Sequence, residues 1–318
     1  MIAAESYALL RDWFGGRVEQ DAFLGELTTY RVGGRAAVKV RAESPEDLER
    51  ISSVISEAQL NFAVIGRGSN LLVADEGFDG IVVTLGEGLS GIEISGAVVR
   101  VGGGALLPVV ARRTVAAGLT GFEWAVGVPG SIGGAVRMNA GGHGSDMTES
   151  LVLVTVIDLA TGLRSSVDAQ SLGLSFRSSN LGRSIVIAEA ELALAFGDQA
   201  TAEAELSDIV RWRRDNQPGG ANAGSVFVNP RPDSAGRLVD LSGAKGLRLG
   251  TAEVSSKHAN FIQVDEEGSA NDVAALMTIV RSQVLEQTGV DLHAETHFLG
   301  FSPEVALAAG ARRVEAAD

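Results

Sequence analysis

The run of residues from 127 to 144 restricts the fold more than any other part of this chain, because seven of its eighteen positions are glycine. Glycine reaches positive φ angles and has no Cβ, so such a loop can lie against a flat or phosphorylated ligand. A second loop precedes it, Gly66-Arg67-Gly68-Ser69-Asn70, whose backbone N–H groups suit an anion. A chain with 40 glycines also contains such loops by chance, and for one loop alone that alternative stands. Two of them among short apolar strands predict a bound dinucleotide.

The common nucleotide fingerprints are absent. Residues 66–71 begin as G-x-G-x-x-G, but Leu71 stands in the last glycine position and a strand pattern follows where a helix should open. The pattern G-x-x-x-x-G-K-S/T does not occur. A standard Rossmann loop and a P-loop are therefore both excluded.

Length and charge narrow the class of protein. At 318 residues the chain is long enough for about two domains. The formal net charge of −14 argues against a nucleic-acid partner, and the absence of cysteine excludes disulfides and thiol catalysis. Residues 1–7 show no basic region followed by an apolar run, and no apolar stretch approaches the ~20 residues of a membrane span. We therefore expect a cytoplasmic protein without a membrane partner.

The helix and strand patterns indicate an α+β fold with many short strands. Ser44 followed by Pro45 and two acids is typical of a helix start, and apolar spacing extends this helix over 45–59. A second helix is predicted over 106–117, ended by Gly118. Strands are predicted over 62–65, 71–73, 81–85, 98–101, 151–158 and 185–194.

A charged helix near 201–215 marks the predicted boundary between a domain of residues 1–198 and one of residues 199–318. The basic run at its end suits a helix cap, an interpretation we prefer to ligand binding. Beyond it the pattern predicts strands over 225–229 and 259–264, then a helix opened by Asn271 and ended by Gly289.

Two isolated polar residues follow the glycine loops. Arg177 lies in a polar loop, and by itself it is compatible with any surface arginine. Ser225 opens a predicted strand directly after glycine. Because Ala223 and Phe227 replace the glycines of G-x-S-x-G, no nucleophile elbow is present, and a turn or cap serine is the alternative.

A third signal is the segment of residues 292–298. Strand alternation places His293, Glu295 and His297 on one face. Three such side chains are compatible with a metal site, but no other His or Cys cluster supports that reading.

Taken together and in order, these segments resemble the UDP-N-acetylenolpyruvoylglucosamine reductase family, the UDP-N-acetylmuramate dehydrogenases of peptidoglycan precursor synthesis. The resemblance runs over about residues 24–300, and the short connections are similar to the more compact of the family's two forms. It is carried by Thr28-Thr29-Tyr30-Arg31-Val32-Gly33-Gly34, both glycine loops, the Arg177 loop, residues 223–227 and the Glu295 segment.

The resemblance implies an FAD-binding PCMH domain of the vanillyl-alcohol-oxidase type, followed by a smaller α+β substrate-binding domain. It implies non-covalent FAD, NADPH as reductant, a UDP-sugar substrate and no metal. The residues carried over as cofactor contacts are Gly66, Arg67, Gly68, Ser69, Asn70, Leu71, Gly127, Pro129, Gly130, Ser131, Gly133, Gly134, Asn139 and Gly141.

Three catalytic residues are also carried over from the family. In the implied reaction, hydride passes from NADPH to FAD and then to C3 of the enolpyruvyl group, leaving carbanion character at C2. Arg177 would hold the substrate carboxylate with its bidentate fork. Glu295 would help to hold the enolic oxygen, and Ser225 would deliver the proton to C2.

The chain departs from the family pattern at five positions. Phe176 and His143 stand where tyrosine is common, and Val228 replaces a basic residue before Asn-Pro. His293 and His297 flank the catalytic glutamate, and a charged imidazole there would weaken it as a hydrogen-bond donor. These departures affect the expected rate and cofactor preference rather than the reaction type.

Two alternatives stay open. One is another flavoenzyme on the same scaffold, such as an alcohol or aldonolactone oxidase, with flavin tethered through His143. The other is a catalytically silent relative that binds a sugar nucleotide. We expect the protein to be a monomer or a weak homo-oligomer. Arg67, Arg137 and Arg213 are the candidates for contacts to a substrate diphosphate.

Overall fold

The computed structural model describes residues 4–312, which form two compact units. One unit contains the chain up to Asp21 together with residues 37–67 and 80–213. The other contains residues 22–36 and 68–79 and the described chain from Arg214 onward. Each unit is therefore built from segments that are distant in sequence, and the division at 198/199 stays a prediction. Residues 1–3, which belong to the segment predicted to lack a signal-peptide pattern, lie outside the described part.

The helix termini carry the capping chemistry that their sequences predict. Ser44 caps the second helix, since its hydroxyl accepts a hydrogen bond from the Asp47 N–H at 3.2 Å, which confirms the predicted start. Gly118 and Gly289 have left-handed φ angles of 74° and 71° where helices end. The helices in residues 4–312 are α1 (Ala4–Phe14), α2 (Pro45–Glu57), α3 (Leu107–Ala116), α4 (Ile132–Arg137), α5 (Gln199–Asn216), α6 (Ala235–Leu241), α7 (Ala270–Thr288) and α8 (Pro303–Ala308).

The strands are short, as the sequence predicts. In chain order they are β1 (Val18–Phe23), β2 (Arg35–Ala42), β3 (Phe62–Val64), β4 (Leu71–Val73), β5 (Phe78–Leu85), β6 (Ile92–Ser95), β7 (Val98–Gly102), β8 (Leu119–Thr120), β9 (Gly141–Gly142), β10 (Ser145–Asp146), β11 (Leu151–Asp158), β12 (Arg164–Asp168), β13 (Ile185–Ala193), β14 (Ala195–Phe196), β15 (Arg248–Leu249), β16 (Ala252–Val254), β17 (Ile262–Val264) and β18 (His297–Leu299).

The first unit has two cores. An antiparallel sheet of order β12-β11-β13-β7-β6 packs against α3, α4 and one side of α5, with Val101, Ile132 and Ile209 among the buried residues. A second cluster joins α1 and α2 to the sheet of order β1-β2-β5-β3. Alternating apolar residues on the strands and the apolar face of each helix supply these cores.

The second unit has one core, built around α7. The antiparallel sheet β15-β16-β17 packs on α7, and β18 pairs in parallel with β4. The same core contains Tyr30, Val226 and Phe227, which lie in segments without regular structure.

Four predicted elements beyond residue 220 differ from the structure. Residues 225–229 form no strand, because Gly224 has a φ of 77° and only Phe227 makes an isolated bridge, to Ala294. The strand predicted over 259–264 starts at Ile262, since a turn closed by the Phe261 N–H and the His258 carbonyl precedes it.

The start of α7 and the extent of β18 also differ from the prediction. Ser269, rather than Asn271, caps α7 by accepting a hydrogen bond from the Asp272 N–H at 3.1 Å. Strand β18 covers only the end of the predicted 292–298 strand. The predicted alternation survives in burial, with Leu292 and Thr296 buried and His293 and His297 exposed.

No helix within residues 4–312 is both long enough and apolar enough to cross a membrane.

Candidate functional site

The first glycine loop joins β3 to β4. Among residues 4–312, no protein group accepts a hydrogen bond from the backbone N–H groups of residues 66–70. A Cβ on Gly66 would lie 2.4 Å from the Ser131 hydroxyl oxygen, and a Cβ on Gly68 would lie 2.1 Å from the Leu27 carbonyl oxygen. Glycine is required at position 68 because the Leu27 backbone passes so closely, whereas a side chain at position 66 would displace the Ser131 hydroxyl. Consecutive unpaired amides form the kind of nest that binds an anion.

The second glycine loop, in contrast, is pinned through its own amides. The Ile132 N–H donates to the Ala105 carbonyl at 2.9 Å, and the Gly133 N–H donates to the Gly103 carbonyl at 2.8 Å. Ser131 is buried and caps α4 by accepting a weak hydrogen bond from the Gly134 N–H at 3.4 Å. The backbone of this loop is therefore held in place, and the N–H groups of Ile132 and Gly133 already have acceptors within the protein.

Asn139 connects this loop to the Arg177 turn. Its side chain is buried, and its amide nitrogen donates to the Ser175 carbonyl and to Asp146, both at 3.2 Å. Its amide oxygen accepts hydrogen bonds from Thr148. Because both ends of the amide are engaged, Asn139 holds the two loops together, a role that the sequence did not suggest.

Arg177 lies in a tight turn closed by two backbone hydrogen bonds. The Ser175 and Ser178 N–H groups each donate to the other residue's carbonyl, at 3.0 and 3.1 Å. Arg177 itself has a φ of 55°, which costs a non-glycine residue about 1–3 kcal/mol. Its Nη2 donates to the Gly141 carbonyl at 3.0 Å, and its guanidinium carbon lies 5.2 Å from the Phe176 ring centre. The left-handed backbone of Arg177 and the two contacts of its guanidinium therefore fix the direction of this side chain.

Two of the three candidate diphosphate arginines use their donors within the first unit. Arg137 donates to the carbonyls of residues 181, 182 and 185, and burial lowers the pKa of its guanidinium. The Ser179 hydroxyl donates back to the Arg137 carbonyl at 2.7 Å. Arg137 therefore supports the chain that follows Arg177.

The end of α5 packs on the start of the second glycine loop. Arg213 donates to the Gly127 carbonyl, and Trp212 meets His143 edge to face at 5.1 Å. Arg211 pairs with Asp208 at 2.5 Å, and the helix-cap role of this basic run stays a prediction. Arg213 and Trp212 hold the second glycine loop.

In the second unit, the Ser225 turn lies beside the Glu295 segment. The Glu295 N–H donates to the Val226 carbonyl, and the Val228 N–H donates to the His293 carbonyl, both at 2.9 Å. Both Ser225 and Glu295 are half-buried. Two residues that are 70 positions apart in sequence are therefore brought to neighbouring backbone segments.

Asn70 ties the first glycine loop to Glu295. Its amide nitrogen donates to the Glu295 carbonyl at 3.0 Å, and its own carbonyl accepts from the His297 N–H at 3.0 Å. Asn70 was predicted as a cofactor contact. Its side-chain donor bonds to the Glu295 backbone, so a contact from Asn70 to a cofactor stays a prediction for its backbone N–H.

The segment of residues 28–34 contacts both the first glycine loop and the Ser225 turn. The Thr29 N–H donates to the Gly68 carbonyl at 3.2 Å, and the Gly34 N–H donates to the Ala74 carbonyl at 2.8 Å. Tyr30 is fully buried, and burial raises the pKa of its hydroxyl, which lies against the Ala223 backbone without a well-aligned hydrogen bond. This segment joins the glycine loop to the Ser225 turn.

The metal alternative finds no support. Within residues 4–312, no group of three or more His, Asp or Glu side chains is arranged to hold a metal ion. His293 and His297 are exposed on either side of Glu295.

Comparison with known proteins places these features in a family. Residues 36–167 match the model of an FAD binding domain, and residues 216–299 match the UDP-N-acetylenolpyruvoylglucosamine reductase C-terminal domain. The chain is 40% identical over 294 residues to the UDP-N-acetylenolpyruvoylglucosamine reductase of Bacillus velezensis, covering 92% of this chain and 97% of that protein. It is 39% identical over 288 residues to the enzyme of that name from Bacillus subtilis, covering 90% and 95%.

A solved structure agrees with these matches. The UDP-N-acetylenolpyruvylglucosamine reductase of Thermus caldophilus superposes with a TM-score of 0.78 at 34% identity, covering 89% of this chain and 99% of that one. The matches confirm the predicted fold class, an FAD-binding PCMH-type domain followed by the family's C-terminal domain.

Proposed function

The chain belongs to the UDP-N-acetylenolpyruvoylglucosamine reductase family, and we propose that it reduces UDP-N-acetylglucosamine enolpyruvate to UDP-N-acetylmuramate. The reductant is NADPH, the cofactor is non-covalent FAD, and the reaction belongs to peptidoglycan precursor synthesis in the cytoplasm. The proposal rests on the way in which Glu295, the Ser225 turn and the first glycine loop are joined. The Glu295 N–H donates to the Val226 carbonyl, and the Glu295 carbonyl accepts from the Asn70 side chain.

The glycine loops fit the pyrophosphate of FAD. Residues 66–70 present consecutive unpaired N–H groups, and residues 66–71 and 127–142 contain no acidic side chain that would repel phosphate. Gly142 and Gly144 face open space, which leaves room for a ligand beside the second loop. Bound at these loops, FAD would supply the hydride for C3 of the enolpyruvyl group, with NADPH as its reductant.

The catalytic residues act on the charge that this hydride creates. Addition at C3 leaves an electron pair that is shared between C2 and the substrate carboxylate. Arg177 offers two parallel N–H donors to that carboxylate, and its turn pre-sets the direction of the guanidinium. Arg137 and Asn139 keep the turn in place.

The proton that completes the product comes from the second unit's residues. Ser225 delivers its hydroxyl proton to C2, and Glu295 holds the enolic oxygen through a hydrogen bond. The new C–H bonds at C3 and C2 together take up one hydride and one proton. The product is therefore the reduced lactyl ether, with no change at the sugar or diphosphate.

An anaerobic visible spectrum of the purified protein tests the proposal. We expect flavin absorption that bleaches with NADPH and returns with UDP-N-acetylglucosamine enolpyruvate, with UDP-N-acetylmuramate identified by mass spectrometry. Flavin that stays bleached after the enolpyruvyl compound would refute this substrate and favour another flavoenzyme. The absence of flavin bands even after reconstitution with FAD would favour a silent sugar-nucleotide-binding relative, and flavin retained after denaturation would indicate a tether through His143.

A further inference from the structure

Residues 221–230 contain no regular strand or helix, yet part of this segment is fully buried. Val226 and Phe227 are each 1% exposed, whereas Ser225 just before them is half-buried. Buried backbone N–H and C=O groups require partners. The partners of these two residues therefore decide where Ser225 is held.

One residue, Asn260, supplies three of those partners. Its carbonyl accepts from the Val226 N–H at 2.9 Å. Its side-chain Oδ1 accepts from the Phe227 N–H at 3.0 Å, and its Nδ2 donates to the Phe227 carbonyl at 2.8 Å. The side-chain amide thus pairs with Phe227 as an adjacent strand would.

Asn260 is itself immobilised. It is 2% exposed, and its N–H donates to the Nδ1 of His258 at 3.2 Å. Strand β17 starts two residues later and enters the core of the second unit. A flipped amide would place donor against donor at Phe227, so only one orientation of the side chain satisfies both groups.

We propose that Asn260 is a positioning residue for Ser225. By pairing with both backbone groups of Phe227 and with the Val226 N–H, it fixes the irregular turn so that the Ser225 hydroxyl is presented at the carbon to be protonated. The inference rests on the proposed function, since it concerns the proton-delivery step of that reaction. Asn260 acts only through the turn.

The test separates the two half-reactions by stopped-flow absorbance in the N260D variant. The substitution keeps the acceptor for the Phe227 N–H but removes the donor to the Phe227 carbonyl. We expect flavin reduction by NADPH at the wild-type rate and reoxidation by the enolpyruvyl substrate slowed roughly 10- to 100-fold at about pH 8, because small misplacements of a reacting group have effects of this size. The deficit should shrink as the pH falls, since a protonated carboxyl group donates again.

The matched control is Q287E. Gln287 lies on α7 in the same unit and donates its amide to the Ser242 carbonyl at 3.0 Å, so this variant loses the same kind of bond at an exposed position. Both half-reactions should keep the wild-type rates. Reoxidation of N260D at the wild-type rate, or equal slowing of both half-reactions, would overturn the proposal.

Two further results also bear on the proposal. If the wild-type flavin is not reoxidised by the enolpyruvyl substrate, the proposed function fails, which differs from failure of the Asn260 role in an active enzyme. If N260D does not fold, N260S is measured by the same criteria, because its hydroxyl is too short to pair with both Phe227 groups. A selective loss of reoxidation in N260S supports the proposal, and a wild-type rate overturns it.

Discussion

The Arg177 turn and the Ser225 turn each present one proposed catalytic residue, and each contains one left-handed residue. In the Ser225 turn that residue is Gly224, with a φ of 77° and open space where a Cβ would lie. In the other turn it is Arg177 itself, with a φ of 55°. Glycine therefore relieves backbone strain next to Ser225, the proposed proton donor. In the other turn the strained residue is Arg177, which is the proposed carboxylate-binding residue.

The two turns are also held differently. The Arg177 turn closes on itself through Ser175 and Ser178, and hydrogen bonds to the buried Asn139 and the half-buried Gly141 attach it to the second glycine loop. The Ser225 turn is held from outside, by the buried Asn260 and by backbone bonds to the Glu295 segment. The Arg177 turn is therefore fixed largely by its own backbone, and the Ser225 turn by residues far away in the sequence.

The largest effect is expected for Ser225→Ala. Loss of a positioned proton donor costs about 10²- to 10⁴-fold in turnover, while flavin reduction by NADPH keeps its rate. Ser53→Ala, which removes a half-buried helix serine bonded to the Arg50 carbonyl, is the control and should change neither rate. Stopped-flow measurement of both half-reactions checks this, and unimpaired reoxidation in the Ser225 variant would exclude the proton-donor role.

The next effect is expected for Arg177→Lys. An ammonium keeps the charge but loses the two parallel donors, so we expect reoxidation to slow about 10²-fold with flavin reduction unchanged. The matched control is Arg100→Lys, which alters an exposed pair with Glu191. A variant with full reoxidation rate would show that charge alone, and not the fork, is required.

A smaller pair of effects concerns stability and has opposite signs. Gly224→Ala forces a Cβ into the left-handed region and should lower the free energy of unfolding by about 1 kcal/mol. Arg177→Gly removes that strain, so the free energy of unfolding should stay unchanged or rise by up to about 1 kcal/mol although activity is lost. Urea unfolding of both variants measures this, and a clear destabilisation by Arg177→Gly would disprove the strain argument.

The smallest effect is expected from His258, which supports Asn260. Burial, assisted by the charge of Lys245, lowers the pKa of His258 from its ordinary value of 6.5. The unfolded chain therefore takes up a proton near pH 6.5 that the folded ring resists, so stability falls as the pH drops through this value and is regained as it rises. Protonation also places a donor at the Nδ1 that accepts from the Asn260 N–H.

The matching variant is His258→Asn, whose amide oxygen is an acceptor that does not titrate. Between about pH 7.5 and 5.5, the wild type should lose more free energy of unfolding than the variant. Equal losses would show that this ring does not contribute to the pH dependence.

Local sequence determined most of the fold. Capping serine, proline in the first turn and glycine after the last turn fixed the ends of α2, α3 and α7 to within a few residues, because these effects act over one helical turn. The order of the glycine loops, Arg177, Ser225 and Glu295 along the chain was also sufficient to indicate the family.

Tertiary structure decided what supports the site, because those contacts join residues far apart in the chain. The strand predicted at 225–229 is absent: Phe227 makes only an isolated bridge, to Ala294, and both of its backbone groups pair with one side chain, that of Asn260. Nothing in the local pattern of Ser-Lys-His-Ala-Asn-Phe at 256–261 shows that its asparagine pairs with Phe227, 33 residues earlier. Likewise the amide of Asn70 reaches Glu295 across 225 residues, and hydrogen-bond partners at such separations are set only when the whole core has assembled.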